Sequence, residues 1–174
     1  MITFPPGSPE YQAATTPHNS SASQHPALVA RPTTAEEVAD VIKEATRLGL
    51  TVLPQATGHG AGGAISDDVM ILDTSGLVEL TIDARTRTAS AGPGLTWGEI
   101  NPQVEKFGLL GLSGSSPSVA IGGYTFGGGF GWMTRPYGAA SAALRSVEYV
   151  DGSGRVRLAA DDAIDAIDRD AVPS

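Results

Sequence analysis

The chain has 174 residues, 41% of them hydrophobic and 17% charged, a balance that fits neither a disordered nor a membrane-spanning polypeptide and suits one ordinary domain with a real core. A net charge of −8 argues against nucleic acid as a partner, because tracking a phosphate backbone needs a basic stripe, and any anionic ligand must then be held by local backbone N–H groups. The absence of cysteine excludes disulfides, thiolate zinc sites and CxxC redox chemistry, and no signal-like or membrane-length apolar run is visible, so a cytoplasmic location without membrane contact is the expectation.

Residues 1–25 are rich in Ser, Thr and Pro with little periodicity, and read as an arm laid over the surface or partly disordered. Ala27 to Ala30 is a short apolar run closed by Arg31-Pro32. Thr34 and Glu37 then form a T-x-x-E capping box ahead of Val38, Val41, Ile42, Ala45 and Leu48. That stripe follows i, i+3, i+4, i+7 and ends at Gly49, which predicts a helix over 34–48. Strands are predicted at 51–55, 69–73 and 78–83, each bounded by Gly, Asp or Ser, giving a β-α-β unit with added strands.

A further strand is predicted at 88–91, followed by a second T-x-x-E box at Thr96 and Glu99. The helix after it runs to about Phe107, but Pro102 leaves two registers open: a start at the box, or a start at Asn101 that places the proline in the first turn. Beyond a glycine-dense stretch, the strands near 147–150 and 155–158 flank Asp151-Gly152-Ser153-Gly154, a hairpin pattern. The acidic segment 161–174 has Ala163, Ile164, Ile167 and Ala171 at helical spacing, yet is short enough that a frayed tail fits equally.

Two glycine segments carry the functional signal. The first, Gln55 to Gly63, has four glycines in six positions directly after a strand. Such clusters occur where the backbone must take unusual angles or where a ligand presses on the main chain, as in a phosphate-holding nest. Gly58, Gly60 and Gly63 also match G-x-G-x-x-G, the dinucleotide fingerprint. That fingerprint requires a helix to open inside the loop, whereas Ala64 to Asp68 leads at once into an apolar strand, so a nicotinamide-binding Rossmann domain is the lesser reading. His59 sits inside this turn; the residues alone leave it open between a solvated loop histidine and a functional one. The second segment, Gly122 to Trp132, has six glycines in ten positions interleaved with aromatics, and reads as a loop laying its peptide against something flat or phosphorylated.

Taken together, RPTTAEEV, QATGHGAGG, GPGLTWGEI, SGSSPSVAIGGYTFGGGFGWMTRPYG and VDGSGRV resemble the flavin-linked oxidases with a p-cresol-methylhydroxylase-type (PCMH-type) flavin domain, within them the berberine-bridge-like branch. The resemblance implies an α+β fold over about 26–160. It consists of two α/β subdomains, about 26–85 and 86–160, with a cleft for FAD between them and an acidic tail beyond. It implies that Ala56, Thr57, Gly58, His59 and Gly60 wrap the pyrophosphate, with His59 bonded covalently to the flavin 8-methyl group. It further implies that Ser116, Pro117, Val119, Gly122, Gly123 and Gly128 run along the isoalloxazine and ribityl chain.

The sequence departs from that pattern in three ways. Doubly tethered members have a cysteine where Ser116 stands, so the histidyl link alone can form. Ala142 and Ala143 replace polar residues common near the cofactor, removing hydrogen-bonding groups. Nothing matches the family's separate substrate domain, which supplies the catalytic base, so no catalytic acid or base is assigned. The expected function is the flavin-binding domain of an oxidoreductase that accepts a hydride at the flavin, acting on a small molecule of unspecified class. The alternative is a non-enzymatic flavin-binding fragment. A completing chain or a second copy of the protein is the expected partner, since unpaired sheet edges favour one.

Overall fold

A computed structural model describes residues 2–160; the segment read as a helix or frayed tail lies outside them. Its order of elements is β1 (Ile2–Phe4), α1 (Pro9–Ala14), β2 (Leu28–Arg31), α2 (Ala35–Leu48), β3 (Thr51–Gln55), β4 (Val69–Asp73), β5 (Leu80–Asp83), β6 (Thr88–Ala91), α3 (Trp97–Glu105), α4 (Ile121–Phe126), α5 (Thr134–Tyr137), β7 (Ser146–Val150) and β8 (Val156–Ala160). The fold is α+β.

The first helix stripe forms where its spacing puts it. Thr34 is extended and its hydroxyl accepts from the Glu37 N–H at 3.2 Å, while Gly49 closes α2 at φ 70. The reciprocal half of the box is displaced by one residue: the Glu37 carboxylate accepts from the Thr33 N–H at 2.8 Å and the Thr33 hydroxyl at 3.0 Å. Replacing Thr34 with Ala should cost about 1 kcal/mol, read as a drop of roughly 2–4 °C in the thermal midpoint followed by circular dichroism.

α2 packs on a sheet of order β1-β2-β4-β3, in which β4 pairs in parallel with both β2 and β3 and β1 adds an antiparallel edge. Period-two alternation sorts the strands. Ala30, Met70 and Leu72 turn toward Val41 and Ala45 of α2, and Val29 and Ile71 turn toward Tyr11 on the other face. β4 is central and covered on both sides, which is why it reads as a continuous apolar run. Full burial of Val29, Val41, Met70 and Ile71 contributes about 1.5–3 kcal/mol for each side chain.

The segment expected as a loose arm is part of this layer. β1 pairs with β2, and α1 buries Tyr11, whose hydroxyl donates to the Pro26 carbonyl at 2.7 Å. Further along, Gln24 and Gln55 exchange side-chain amide bonds at 2.8 and 2.9 Å. These elements span three and six residues, too few for a periodic pattern to show.

The β5–β6 hairpin and α3 form the second unit, with Leu95, Trp97, Ile100 and Val104 at its core. Of the two registers left open by Pro102, the one starting at the box is adopted: the Glu99 carboxylate accepts from the Thr96 N–H at 2.8 Å and its hydroxyl at 2.7 Å. These bonds hold the Glu99 carboxyl below its ordinary range. The buried stripe Trp97, Ile100 and Val104 outweighs a proline inside the helix, whose penalty is about 3 kcal/mol. β5 begins at Leu80, two residues later than expected, and Val78 stays half exposed outside the ladder.

The β7–β8 hairpin forms around the expected turn but does not join β5 and β6. It lies on α2: a Cβ placed on Gly154 would sit 3.0 Å from the Ala39 carbonyl oxygen and 2.9 Å from Lys43 Cγ. Residues 146–160 therefore pack on α2 of the first unit. Local turn chemistry fixes a hairpin, but does not say which face it covers.

The Asp151 carboxylate holds that turn, accepting from the Ser153 N–H at 2.8 Å, the Arg155 N–H at 3.1 Å and Arg157 Nε at 3.1 Å. Hydrogen bonds from Ser153 and Arg155 lead in keeping its carboxyl far below the ordinary aspartate value. A depressed folded-state value stabilises above the unfolded-chain value and is lost only as pH falls through the folded one. The Ser153 and Arg155 amide shifts should thus stay flat in an NMR titration down to about pH 4 and move only below it.

Candidate functional site

β3 ends at Gln55, paired in register with Asp73 of β4. Asp73 is buried and accepts from Arg31 Nε at 2.7 Å, and the Gln55 amide also donates to the Ala14 carbonyl at 3.0 Å. The chain then turns through half-buried Ala56 and Thr57 to buried Gly58. Gly58 has φ 67, and a Cβ there would collide with Pro17 Cβ and lie 2.8 Å from Pro17 Cα. Residues 17–19 strap the turn from outside: the His18 N–H donates to the Thr57 carbonyl at 3.0 Å, the Asn19 N–H to the Gly58 carbonyl at 3.4 Å, and Asn19 Nδ2 to the Ala61 carbonyl at 2.7 Å.

This strap aims His59. Its Nδ1 is hydrogen-bonded to the Thr57 hydroxyl at 2.6 Å, its Nε2 to the Ser118 hydroxyl at 3.3 Å, and Ser118 to Ser116 at 3.0 Å. The His18 ring stacks on it, with centroids 3.8 Å apart and planes 13° from parallel. Burial, then the charge His18 can carry, lowers the His59 pKa from its ordinary value. A neutral imidazole keeps one nitrogen lone pair free, as a nucleophile requires.

The second segment reaches His59 because its front end is tied to the start of α3. The Gly98 N–H donates to the Pro117 carbonyl at 2.8 Å and the Trp97 N–H to the Val119 carbonyl at 3.0 Å. Gly122 is buried against Pro93, where a Cβ would approach within 2.7 Å. The stretch expected as a loop contains the six-residue α4; Tyr124 packs edge-on against Trp97 at 5.6 Å, and Thr125 is buried. Glycines between these residues hid the helical spacing. Phe126, Phe130, Trp132 and Tyr137 all stay largely exposed. Ala142 and Ala143 lie exposed in a 3₁₀ turn.

The first turn therefore meets the stretch leading into the second, through His59 and Ser118. Thr57, His59 and Ser116 come together; Pro117 and Val119 are engaged through their carbonyls at the start of α3. Gly58 and Gly122 are required by contacts inside the chain, whereas Gly60, Gly123 and Gly128 have no atom within 4 Å of where a Cβ would stand. Ser118, His18 and Asn19 were missed, since their contacts join positions far apart in sequence. No helix opens after Gly60: the chain runs on to a bridge between Ile65 and Gln24 and then into β4. The Rossmann reading is thereby excluded. An apolar pocket of about 230 Å³ beside Trp97, Ile100 and Thr125 is lined by none of the residues named for the cofactor.

The profile of the FAD binding domain matches residues 26–159. The chain belongs to the FAD binding domain family. Among its relatives, (R)-6-hydroxynicotine oxidase of Paenarthrobacter nicotinovorans is 32% identical over 140 residues, covering 80% of this chain and 31% of the relative. Berberine bridge enzyme-like 23 of Arabidopsis thaliana is also 32% identical over 140 residues, covering 77% of this chain and 26% of the relative. The crystal structure of 6-hydroxy-D-nicotine oxidase from Arthrobacter nicotinovorans superposes with a TM-score of 0.87 at 29% identity, covering 94% of this chain and 36% of that one. The chain thus spans about a third of the length of the relatives it matches.

These matches make it a flavin-binding domain of the PCMH type found in FAD-linked oxidoreductases, and the residues present fit such a group. The FAD binding domain offers uncrowded main chain at Gly60, Gly123 and Gly128, hydroxyls at Thr57, Ser116 and Ser118, and a histidine where the first turn touches Ser118. Its polar groups there are neutral donors and acceptors, as expected for a chain without a basic field. Among the described residues, no helix of this FAD binding domain is long and apolar enough to cross a membrane.

Proposed function

We propose that the chain binds FAD across its two glycine turns, is tethered to it covalently through His59, and serves as the flavin-holding part of an oxidoreductase that takes a hydride from a small organic substrate. The observation that carries this reading is the junction of His59 with Ser118, in a chain of the FAD binding domain family. Ala56, Thr57, Gly58, His59 and Gly60 form the first wall of the site. Ser116, Pro117, Val119, Gly122, Gly123 and Gly128 form the second.

The flavin, when bound, would supply the two-electron chemistry, and His59 would hold it through an imidazole nitrogen. The protein's residues orient and protect. Thr57 and Ser118 hold the His59 ring by its two nitrogens, the strap at 17–19 keeps the turn closed behind it, and Gly60, Gly123 and Gly128 let peptide approach without a side chain between. Ser116, which stands where doubly tethered relatives have cysteine, offers only a hydroxyl, and with no cysteine in the chain one attachment point remains.

The test is to load the purified protein with FAD, precipitate it with acid and follow the yellow absorbance near about 450 nm. Colour that sediments with the polypeptide supports the tether. Colour left wholly in the supernatant overturns it, and comparison with FMN shows whether the adenylate half contributes to affinity.

A further inference from the structure

Resting on the reading of His59 as the flavin tether, we propose that His18 is its positioning residue, a flat partner ring that fixes the plane of the His59 imidazole and opposes a positive charge on it. The stack is close and nearly parallel, 3.8 Å between centroids and 13° between planes. It is not a chance approach of two loops. The His18 N–H is bonded to the carbonyl of Thr57, two residues before His59, and Asn19 grips Gly58 and Ala61 on either side of it. The strap and the turn therefore move as one body, and the rings stay in register.

Position and charge follow from the same contact. With Nδ1 on Thr57 and Nε2 on Ser118, the neutral ring is pinned at its edge by two hydroxyls, one accepting from its N–H and the other donating to its unprotonated nitrogen. One face is covered by His18. The ring touches Thr57, Ser118 and His18, and of these His18 alone is a side chain ionisable near neutral pH. Two stacked imidazolium rings repel at this distance, so a charge on His18 opposes one on His59. Burial acts in the same direction on His59. The pair thus keeps available the lone pair that bond formation needs.

The test uses the full chain without flavin as well as the loaded protein. Histidine Cε1–H resonances are titrated by NMR in the wild type, His18→Phe and His18→Ala, with His25→Asn assigning the third ring. Phenylalanine keeps the flat face and removes the charge. In His18→Phe the His59 midpoint should move up while ring-to-ring contacts persist; in His18→Ala those contacts should vanish. In the loaded protein, His18→Ala should lose most of its acid-stable colour. His18→Phe should retain it at pH 8 and lose it relative to wild type near pH 6. An unchanged His59 midpoint and unchanged acid-stable colour in both variants overturn the proposal. If even the wild type holds no acid-stable flavin, the tether fails on its own, and the titration of the flavin-free protein still decides whether the rings are coupled.

Discussion

Replacing His59 with alanine should free all of the flavin colour from acid-denatured protein, while the wild type keeps it. A cofactor held only by the fold leaves when the fold is lost; a covalent bond survives. The candidate nucleophiles at the His59–Ser118 junction are the hydroxyls of Thr57, Ser116 and Ser118 and the imidazole of His59. At neutral pH an alcohol is almost wholly protonated and a poor nucleophile without a base beside it. A histidine held below its ordinary pKa by burial and by His18 is mostly neutral under the same conditions. The measurement is the ratio of sedimenting to soluble absorbance, with circular dichroism showing that His59→Ala still folds. Colour sedimenting equally with the variant would move the link to another residue.

Gly58→Ala should destabilise the chain by about 3–5 kcal/mol, in the range reserved for strain and core damage. Two penalties combine. A non-glycine residue in the left-handed region costs about 1–2 kcal/mol, and Gly58 sits at φ 67. The added Cβ also strikes Pro17 and comes 2.8 Å from its Cα, backbone that cannot swing aside. Relief requires the strap to lift, which breaks the bonds from His18 and Asn19 to the turn. Gly60→Ala is the control, since Gly60 lacks both a positive φ and any atom within 4 Å of a Cβ, and its effect should stay within about 0.5 kcal/mol. Urea midpoints of the two variants compare them directly; equal midpoints would show that the strap does not bear on Gly58.

What was legible in the sequence is what local chemistry determines. α2 was visible because Thr34, its apolar stripe and Gly49 lie within sixteen consecutive residues, and β3 and β4 because Gly, Asp and Ser bound them. The two glycine turns stood out by composition, and His59 by its place in one of them. The contacts that make His59 more than a loop histidine were not legible. Asn19 reaches Ala61 across 42 positions and Ser118 reaches His59 across 59, and no spacing rule links residues so far apart. α4 was hidden because glycine breaks the stripe that Ile121, Tyr124 and Thr125 otherwise draw. The β7–β8 hairpin was recognised as a hairpin, but its packing on α2 was not legible, since a turn motif carries no information about the surface it will cover.

The N-terminal strap has a practical consequence for anyone moving this domain between proteins. The family profile begins at residue 26, but a graft cut there would leave the Pro26 carbonyl without the Tyr11 hydroxyl, Gln55 without Gln24, and the flank of β2 open to other strands. The portable unit is longer than the profile, and a chimera joined upstream of Ile2 keeps the histidine cradle shut.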